Sequence, residues 1–403
     1  MRTPGEAVSE ILAHTPGPGT AGECPLAEAA GRVLAADVTA DGDLPPFAKS
    51  AMDGFAVRSA DFAQAGGAGA RLRRIGESRA GSPFAGAVAP GECVAIYTGA
   101  VVPDDCDAVV MVERSQREGE TVRLDDEPRE RQHICERGED VGRGERVLSA
   151  GHRLRPGDLS VLAAVGCEPV PVHQRPRVSI LTTGDELVAP SEVPGPGQIR
   201  EGNTLHLAAL ARAAGARVLR AEVLNDDPAE LERAFAEALE DSDFVVSTGG
   251  VSMGRYDLVG DAFEAAGVEC VFHKVAIKPG KPVWFGVRGE VGVFGLPGNP
   301  VSCLVGHEVF VRPALARRSG AVAEAAAELR RGRWEGKPPR TADRQQNIPV
   351  AVSAGEDGVD RLRPVPWRSS ADVVGLARAA GLAVVEPGDT LAPGDLCRYR
   401  PLG

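Results

Sequence analysis

Two lysines separated by a Pro-Gly pair have the residue types that an oxyanion site needs. The segment 278–282 reads Lys-Pro-Gly-Lys-Pro, so Lys278 and Lys281 each precede a proline, which favours an extended backbone there. An ammonium group is a compact charge with three rotatable donors and suits a tetrahedral anion, whereas the planar guanidinium of arginine suits bidentate partners. Only 5 of the 45 basic residues are lysines, and three of them, including Lys274, lie between positions 274 and 281. A solvated loop is the alternative, but it does not explain lysine in an arginine-dominated chain, and we predict an anion site.

A glycine-rich segment, Thr-Gly-Gly-Val-Ser-Met-Gly at 248–254, is the second candidate. Gly249 and Gly250 allow a turn that aims backbone N–H groups at a phosphate. The same segment matches G-x-S-x-G, the nucleophile elbow of α/β hydrolases, which would make Ser252 a nucleophile. In a hydrolase the serine follows the strand directly, whereas here three turn residues come first. The phosphate interpretation is therefore favoured.

Three acidic residues, Asp185, Glu186 and Asp257, follow predicted strands or turns near these segments. Mg²⁺ prefers one or two carboxylates together with phosphate oxygens, so acids beside an anion site could hold this ion. The alternative is that they cap helix N-termini, which is a common role for aspartate. The residues alone leave both possibilities open.

The elements that must position these residues alternate between strands and helices. Short apolar runs and amphipathic segments predict the following elements in chain order: strand 178–183, helix 204–214, strand 217–224, helix 229–239, strand 244–248, helix 258–266, strands 270–277, 283–287 and 291–294, and helix 301–317. This alternation indicates a doubly wound, mostly parallel sheet. Ligands bind such sheets beyond the carboxyl ends of the strands, where segments 183–186, 248–254, 278–282 and 295–300 are expected to meet.

The remaining sequence predicts a multi-domain α/β protein with additional β-rich domains. A capping box at Thr3 and Glu6 predicts an N-terminal helix ending near His14. We assign residues 1–45 with 141–176 to an N-terminal and connecting domain and 46–140 to an inserted β-rich domain. The α/β domain then covers 177–324, and a C-terminal β domain covers 325–403.

Composition excludes several classes of protein. The chain has 403 residues and a formal charge of −12, which disfavours general binding to nucleic acid or to anionic lipid. No apolar run approaches the roughly 20 residues needed to span a bilayer, and the first residues lack a signal-peptide core, so we expect a cytoplasmic protein. The eight cysteines form no C-x2-C pair, which favours free thiols.

A series of segments resembles one known family in order along the chain. The matching segments are Leu44-Pro45-Pro46-Phe47, Ser50 to Val57, Tyr97-Thr98-Gly99-Ala100, Arg137-Gly138-Glu139-Asp140, Thr183 to Leu187, Gly197-Gln198-Ile199, Asp226-Asp227-Pro228, Gly249 to Gly254 with Asp257, Ala276 to Pro282 and Gly295 to Ser302. They resemble the molybdopterin molybdenumtransferase family, which includes MoeA-like proteins and the E domain of gephyrin. The resemblance covers essentially the whole chain.

The resemblance implies insertion of molybdate into adenylylated molybdopterin with Mg²⁺, releasing AMP and the molybdenum cofactor. It implies that Lys278, Lys281 and Ser302 hold molybdate, with Ser370 a weaker addition, and that Ser252 and Asp257 are needed for the reaction. Asp185, Glu186 and Asp227 become candidates for metal or substrate, with Glu186 and Asp257 counted among both catalytic and metal candidates. Further substrate-binding candidates are Asp53, Thr98, Asp140, Gly249, Gly250, Lys274, Pro297, Asn299 and Pro300.

The resemblance also implies an assembly and partners. It implies an elongated homodimer in which the site lies between one subunit's α/β domain and its partner's outer domains. Molybdopterin adenylyltransferase and proteins that deliver the cofactor to molybdoenzymes are the expected partners, with no nucleic acid and no membrane.

Some positions depart from the family pattern. Ala48 stands where the family has aspartate, Gly260 where it has lysine, and Val374-Gly375 where it has a Ser-Ser pair. Alternative functions are a molybdopterin adenylyltransferase-like enzyme, a non-catalytic gephyrin-like scaffold and an α/β hydrolase using Ser252.

Overall fold

The computed structural model describes residues 1–64, 67–250, 258–321 and 329–402. The chain divides into two compact units, one formed by residues 1–36, 150–155 and 170–403 and the other by residues 37–149 and 156–169. The finer division into four domains stays a prediction. No helix in the described ranges is both long and apolar enough to cross a membrane.

The first unit contains the predicted α/β sheet. Its six strands, in spatial order, are Arg217–Leu224, Arg177–Thr183, Phe244–Thr248, Val291–Leu296, Trp284–Arg288 and Glu269–His273. The first four are mutually parallel and the last two join in antiparallel pairs. The prediction of a mostly parallel sheet is confirmed.

Helices cover both faces of this sheet, as its doubly wound pattern requires. One face buries the helices Pro4–His14, Asn203–Ala213, Pro300–Gly306 and Arg312–Arg318. The other face buries Pro228–Asp241 and Leu258–Ala265. The N-terminal helix has the predicted capping box, in which Thr3 and Glu6 exchange hydrogen bonds.

The strand predicted at 270–277 was wrong in its extent, whereas the extent of the helix predicted at 301–317 is confirmed. The strand predicted at 270–277 is interrupted because Lys274 has a φ of 74°, a left-handed conformation that ends extended pairing. The chain continues as the short strand Ile277–Lys278 in a different sheet. The helix predicted at 301–317 contains a π-helical stretch, His307–Val311, between its two α-helical parts.

A second sheet of the first unit is formed by the C-terminal region. In spatial order its strands are Ile277–Lys278, Gln345–Ser353, Asp360–Pro364, Arg330–Trp334, Leu396–Pro401 and Gly381–Val385. The helix Val373–Leu376 lies between two of them in sequence. This unit also contains two short strand pairs, Ala21–Cys24 with Val170–His173 and Leu187–Val188 with Ile199–Arg200, and a 3₁₀ turn at Leu26–Glu28.

The second unit is rich in β structure. Its six-stranded sheet contains, in spatial order, Ala108–Met111, Gly54–Val57, Glu92–Ile96, Ala70–Ser78, Thr121–Leu124 and Ser115–Glu118. Two further strand pairs are Val38–Thr39 with Arg146–Leu148 and Lys49–Ser50 with Ile134–Cys135. The helices are Ala60–Gln64 and Pro156–Ala164, with a 3₁₀ turn at Val112–Arg114.

Asp243 stabilises the start of the α/β sheet. Its carboxylate accepts a hydrogen bond from the backbone N–H of Arg177 at 2.7 Å and one from the guanidinium of Arg318 at 3.1 Å. Burial alone would raise the pKa of Asp243, but the hydrogen bonds from Arg177 and Arg318 outweigh it and keep the pKa below the ordinary value. The charged carboxylate is therefore favoured in the folded state.

Replacing Asp243 with asparagine is expected to lower the free energy of unfolding by about 1–3 kcal/mol at neutral pH. Because the folded pKa is depressed, this contribution is present above about pH 4 and is lost as the pH falls through the folded pKa. Urea unfolding at several pH values measures it. Asp241→Asn is the control, since Asp241 forms an exposed pair with Arg220. A difference between wild type and Asp243→Asn that stays constant into acid would contradict the assignment.

Candidate active site

Loops that follow three parallel strands line one large cavity of about 1250 Å³ in the first unit. Thr183 ends the first strand and Glu186 follows it, Gly249 and Gly250 follow the second, and the segment 297–300 follows the third. The predicted meeting of these segments at one sheet edge is confirmed.

The topology explains why the cavity lies there. The chain passes from strand Arg177–Thr183 to its neighbour on one side, Arg217–Leu224, and then to its neighbour on the other side, Phe244–Thr248. The neighbouring strands Arg177–Thr183 and Phe244–Thr248 are therefore followed by helices on opposite faces of the sheet, Asn203–Ala213 and Leu258–Ala265, and a crevice opens beyond their carboxyl ends.

Gly249 and Gly250 are required by backbone geometry. Their φ angles are 98° and 60°, in the left-handed region that side chains rarely adopt. A Cβ atom on Gly249 would lie 2.3 Å from the carbonyl oxygen of Thr183, and one on Gly250 would lie 2.5 Å from a methyl group of Val259. The turn therefore brings the ends of two strands into close contact at the cavity wall.

The lysine loop, residues 274–282, forms backbone hydrogen bonds with the N-terminal segment and with a strand of the C-terminal sheet. Within the loop, the N–H of Val275 donates to the carbonyl of Lys281 at 3.0 Å. The N–H of Ala276 donates to the carbonyl of Arg2, and Ile277 pairs in parallel with Gln345 of the C-terminal sheet. The loop that carries the lysines is thus built into the C-terminal sheet.

Lys278 and Lys281 line a smaller pocket of about 560 Å³, here called the lysine pocket. Arg344 and Arg368 line it too, so four cations surround it, and no carboxylate is among its described lining residues. Both lysines are exposed and neither forms an ion pair within the described ranges. The lysine pocket and the large cavity share Pro282, Pro297 and Asn299 in their walls, so they adjoin.

Sequence reasoning missed Arg344 and Arg368. Arg344 donates to the carbonyl of Ile277 at 3.3 Å and so lies against the lysine loop. Forty of the 45 basic residues are arginines, so neither residue stands out from its background in the sequence. The one signal in the sequence is that Arg368 directly precedes Ser369 and Ser370, the second of which is a candidate site residue.

Hydroxyl groups from two regions complete the lysine pocket. Ser302 is buried in the first turn of the helix Pro300–Gly306 and lines the pocket with Ser370. Asn299 donates to the hydroxyl of Ser370 at 2.8 Å, and the N–H of Val301 donates to the Ser370 carbonyl. Ser370, the weaker candidate from sequence, therefore lies beside Ser302 and Asn299.

The neighbouring thiol of Cys303 is not a nucleophile. Burial raises its pKa to about 12, even though the thiol also contacts the hydroxyl of Thr248 at 3.0 Å. A thiol with this pKa is protonated at neutral pH and chemically inert.

The acidic candidates have different positions. Asp227 caps the helix Pro228–Asp241 by accepting from the N–H of Glu230 at 2.8 Å, which is the alternative role raised for aspartates. Asp185 accepts from the N–H of Asp226 at 3.0 Å. Glu186 lines the large cavity, and its carboxylate makes no hydrogen bond or ion pair within the described ranges.

Other predicted residues lie elsewhere or outside the described ranges. Ser252 and Asp257 belong to residues 251–257, which the structure does not describe. Lys274 is half-buried, and its N–H donates to the carbonyl of Val283, but it is not among the described residues lining the lysine pocket.

Three candidates belong to the second unit. Asp53 accepts hydrogen bonds from the backbone N–H and the hydroxyl of Thr98, at 2.7 and 2.8 Å. These bonds lower the pKa of Asp53, so its carboxylate is charged at neutral pH. Asp140 lies in another loop of that unit, where its N–H donates to the carbonyl of Leu44.

Comparisons with known proteins show the family of this chain. Residues 2–166 match the family model described as "MoeA N-terminal region (domain I and II)", and residues 179–317 match the "Probable molybdopterin binding domain". The molybdopterin molybdenumtransferase of Haemophilus influenzae is 36% identical over 353 residues, covering 87% of this chain and 84% of that protein. The chain belongs to the molybdopterin molybdenumtransferase family.

Family membership makes the protein a transferase of molybdenum cofactor biosynthesis. The molybdopterin molybdenumtransferase of Bacillus subtilis is 37% identical, covering 70% of this chain and 67% of that protein. A crystal structure of the molybdopterin biosynthesis protein MoeA from Pyrococcus horikoshii superposes with a TM-score of 0.83 at 29% identity, covering all of both chains. The residues that match the "Probable molybdopterin binding domain", 179–317, include Gly249, Gly250, the lysine loop and Ser302.

Proposed function

We propose that this protein inserts molybdate into adenylylated molybdopterin with the help of Mg²⁺, releasing AMP and the molybdenum cofactor. The observation that carries the proposal is the lysine pocket, where four cations without a described carboxylate adjoin a cavity large enough for an organic substrate. In a chain with a formal charge of −12, such a local excess of cations supports the binding of a small dianion.

The lysines and the serines of the lysine pocket would have different roles in binding molybdate. Lys278 and Lys281 would neutralise molybdate, and the hydroxyls of Ser302 and Ser370 would donate hydrogen bonds to its oxygens. The glycine turn at Gly249 and Gly250 would let the substrate phosphates approach the backbone closely. Because the cavity and the pocket adjoin, one bound substrate could place its reacting atoms beside the held molybdate.

The acidic candidates would suit a magnesium ion that also binds the phosphate oxygens of the substrate. Within the described residues no three His, Cys, Asp or Glu side chains gather closely enough to hold a metal by themselves. Mg²⁺ commonly takes one or two carboxylates plus phosphate oxygens, so Glu186 with Asp257 would suffice, with Asp185 nearby in sequence. The ion would supply charge neutralisation at the phosphates. Asp227 is a weaker candidate because it caps a helix.

The family resemblance supports a proposal for the assembly, and the lack of a long apolar run in the sequence supports one for the location. We propose a homodimer in which Asp53, Thr98 and Asp140 of one subunit complete the site of the other. The adenylyltransferase that makes the substrate and proteins that receive the cofactor would be its partners, in the cytoplasm.

The proposal predicts AMP release that depends on molybdate. Purified protein mixed with adenylylated molybdopterin and Mg²⁺ is expected to release AMP only when molybdate is added, measured by chromatography of the nucleotide. Omitting Mg²⁺ should slow the release, because the phosphate charge would be left without its counter-ion.

Three results would overturn the proposal. AMP release at the same rate without molybdate would indicate simple hydrolysis, for which Ser252→Ala would be the diagnostic variant. Consumption of ATP with molybdopterin would favour the adenylyltransferase alternative. No turnover by folded, dimeric protein would favour the scaffold alternative.

A further inference from the structure

A buried arginine of the C-terminal sheet has hydrogen-bond donors without a partner. Arg400 lies in the strand Leu396–Pro401 and is 9% exposed. Its Nε and Nη1 atoms are buried and make no hydrogen bond within the described ranges. A guanidinium carries only donors and stays charged at neutral pH, so a buried arginine needs partners both for its N–H groups and for its charge.

The pairing of the sheet shows which face carries the Arg400 side chain. Arg400 is paired with Leu382 in antiparallel register, and residues directly opposite each other lie on the same face of a sheet. Leu382 is fully buried in the core that also contains Val311 and Leu315. The preceding residue, Tyr399, belongs to the separate core on the other face. Arg400 therefore faces the helical segment 307–318.

That helical segment presents one buried carboxylate, which already has partners. Oε1 of Glu308 lies 3.2 Å from Nδ1 of His307, and Oε2 accepts a hydrogen bond from Arg312 at 2.8 Å. Burial lowers the pKa of Arg400, Glu308 raises it and Arg312 lowers it, so both groups are close enough to Arg400 to act on its charge. Since both oxygens of Glu308 are occupied, the Nε and Nη1 atoms of Arg400 remain unpaired.

The charges of this cluster do not cancel. Arg312 and Arg400 are two cations, and Glu308 is one anion, so one positive charge is left without compensation. Arg153 adds a further cation, because Arg312 also lowers its pKa after burial, but the Arg153 guanidinium donates to the carbonyls of Gly31 and Ala214. A local excess of buried cations is unexpected in a chain with a formal charge of −12.

Other buried polar atoms near this interface also lack partners. Asn347 is 1% exposed and lies on the same sheet face, since it is paired with Val384, two residues from Leu382. Neither amide atom of Asn347 has a hydrogen bond in the described part of the chain, and neither does Nε2 of His307. Buried polar groups are nearly always satisfied, and π-helical stretches such as His307–Val311 are frequent at functional sites. Together these groups indicate a site for a ligand that accepts hydrogen bonds.

We propose that the interface between the C-terminal sheet and the helical segment 307–318 binds a monovalent inorganic anion such as chloride, through the guanidinium of Arg400. One negative charge would neutralise the excess and would accept from the unpaired N–H groups. None of Arg400, Glu308 and Arg312 is among the described residues that line the lysine pocket, so this anion site is separate from it. The inference does not depend on the proposed function.

The test measures thermal unfolding of the full-length protein in sodium chloride and in sodium gluconate at equal ionic strength, because gluconate is too large for a buried site. At about 100 mM salt, wild type is expected to unfold about 2–4 °C higher in chloride, since a ligand that binds only the folded state stabilises it. Hydrogen exchange in the strand Leu396–Pro401 should also be slower in chloride. In crystals soaked in bromide, anomalous scattering should locate the ion beside Nε or Nη1 of Arg400.

Arg400→Met keeps much of the side-chain volume and removes the charge. This variant should lose the difference between chloride and gluconate, and in gluconate it should unfold at the same temperature as wild type or higher, because an unpaired buried charge is gone. Arg398→Met is the matched control. Arg398 is in the same strand but is exposed and paired with Glu386, so its replacement should leave the chloride effect unchanged.

Several results would overturn the inference. They are equal unfolding temperatures of wild type in chloride and gluconate, a chloride effect that persists in Arg400→Met, or a bromide signal found only elsewhere. A larger effect of sulfate than of chloride at equal ionic strength, lost in Arg400→Met, would contradict the monovalent assignment. If Arg400→Met does not fold, the wild-type salt comparison and the bromide crystals still decide the question. All of these measurements are made without substrate, so they leave the proposed function untouched.

Discussion

Replacing Lys281 or Lys278 with alanine is expected to lower molybdate-dependent AMP release by about 10- to 100-fold at limiting molybdate. Each change removes one charge-assisted hydrogen bond to the anion, worth about 1.5–3 kcal/mol. The variants should need a higher molybdate concentration for half-maximal AMP release, because the lysines line the smaller pocket. Affinity for the pterin substrate should change much less. Removing both lysines should cost more than either change alone, with departures from additivity because they share one ligand.

The matched control is Lys337→Ala. Lys337 is also exposed and also precedes a proline, but it is not among the described residues of either cavity. Activity of this variant should equal that of wild type. Separate titrations of molybdate and of adenylylated molybdopterin give, for each variant, the concentration of each substrate needed for half-maximal AMP release. Equal losses for both substrates, with the fold intact, would show that the lysines bind the pterin phosphates instead.

Gly249→Ala is expected to have the second large effect, lowering both stability and activity. The residue has a φ of 98°, and an added Cβ would lie 2.3 Å from the carbonyl oxygen of Thr183. Relief of this contact requires the ends of two neighbouring parallel strands to separate. We expect a loss of about 2–4 kcal/mol in the free energy of unfolding, from backbone strain and from the overpacked contact together. AMP release should fall by at least about 100-fold, because a displacement of about 1 Å in a positioned site is costly.

Gly267→Ala separates the effect of backbone strain from the effect of the overpacked contact. Gly267 also has a left-handed φ, 76°, but a Cβ added there would meet nothing within 4 Å. Its replacement should therefore cost only the conformational strain, about 1 kcal/mol, and leave activity unchanged. Urea unfolding and AMP release measured on both variants make the comparison. Similar behaviour of Gly249→Ala and Gly267→Ala would contradict a close-packed role for the glycine turn.

The candidate site was predictable where local sequence carried the information. Lys278 and Lys281 stood out because lysine is rare in this chain, and the glycines at 249 and 250 stood out because few residues tolerate a left-handed turn. Strand ends at Thr183 and Thr248 followed from the length of apolar runs, and parallel pairing then placed them at one edge.

Other parts could not be predicted because they depend on contacts distant in sequence. Arg344 and Arg368 reach the lysine pocket only because the C-terminal sheet pairs with Ile277–Lys278. The break at Lys274 has no local signal, since a left-handed lysine is uncommon and is held by its surroundings.

The sequence by itself determined the fold class, the order of strands and helices in the α/β domain, and the identity of two lysines and two glycines that line the adjoining cavities of the candidate site. These depend on residue type and periodicity, which act over short stretches of chain. Only the tertiary structure decided which cations share the lysine pocket and that Asp227 is occupied in capping a helix. Burial and hydrogen-bond satisfaction are properties of the packed chain, so no short stretch of residues contains them.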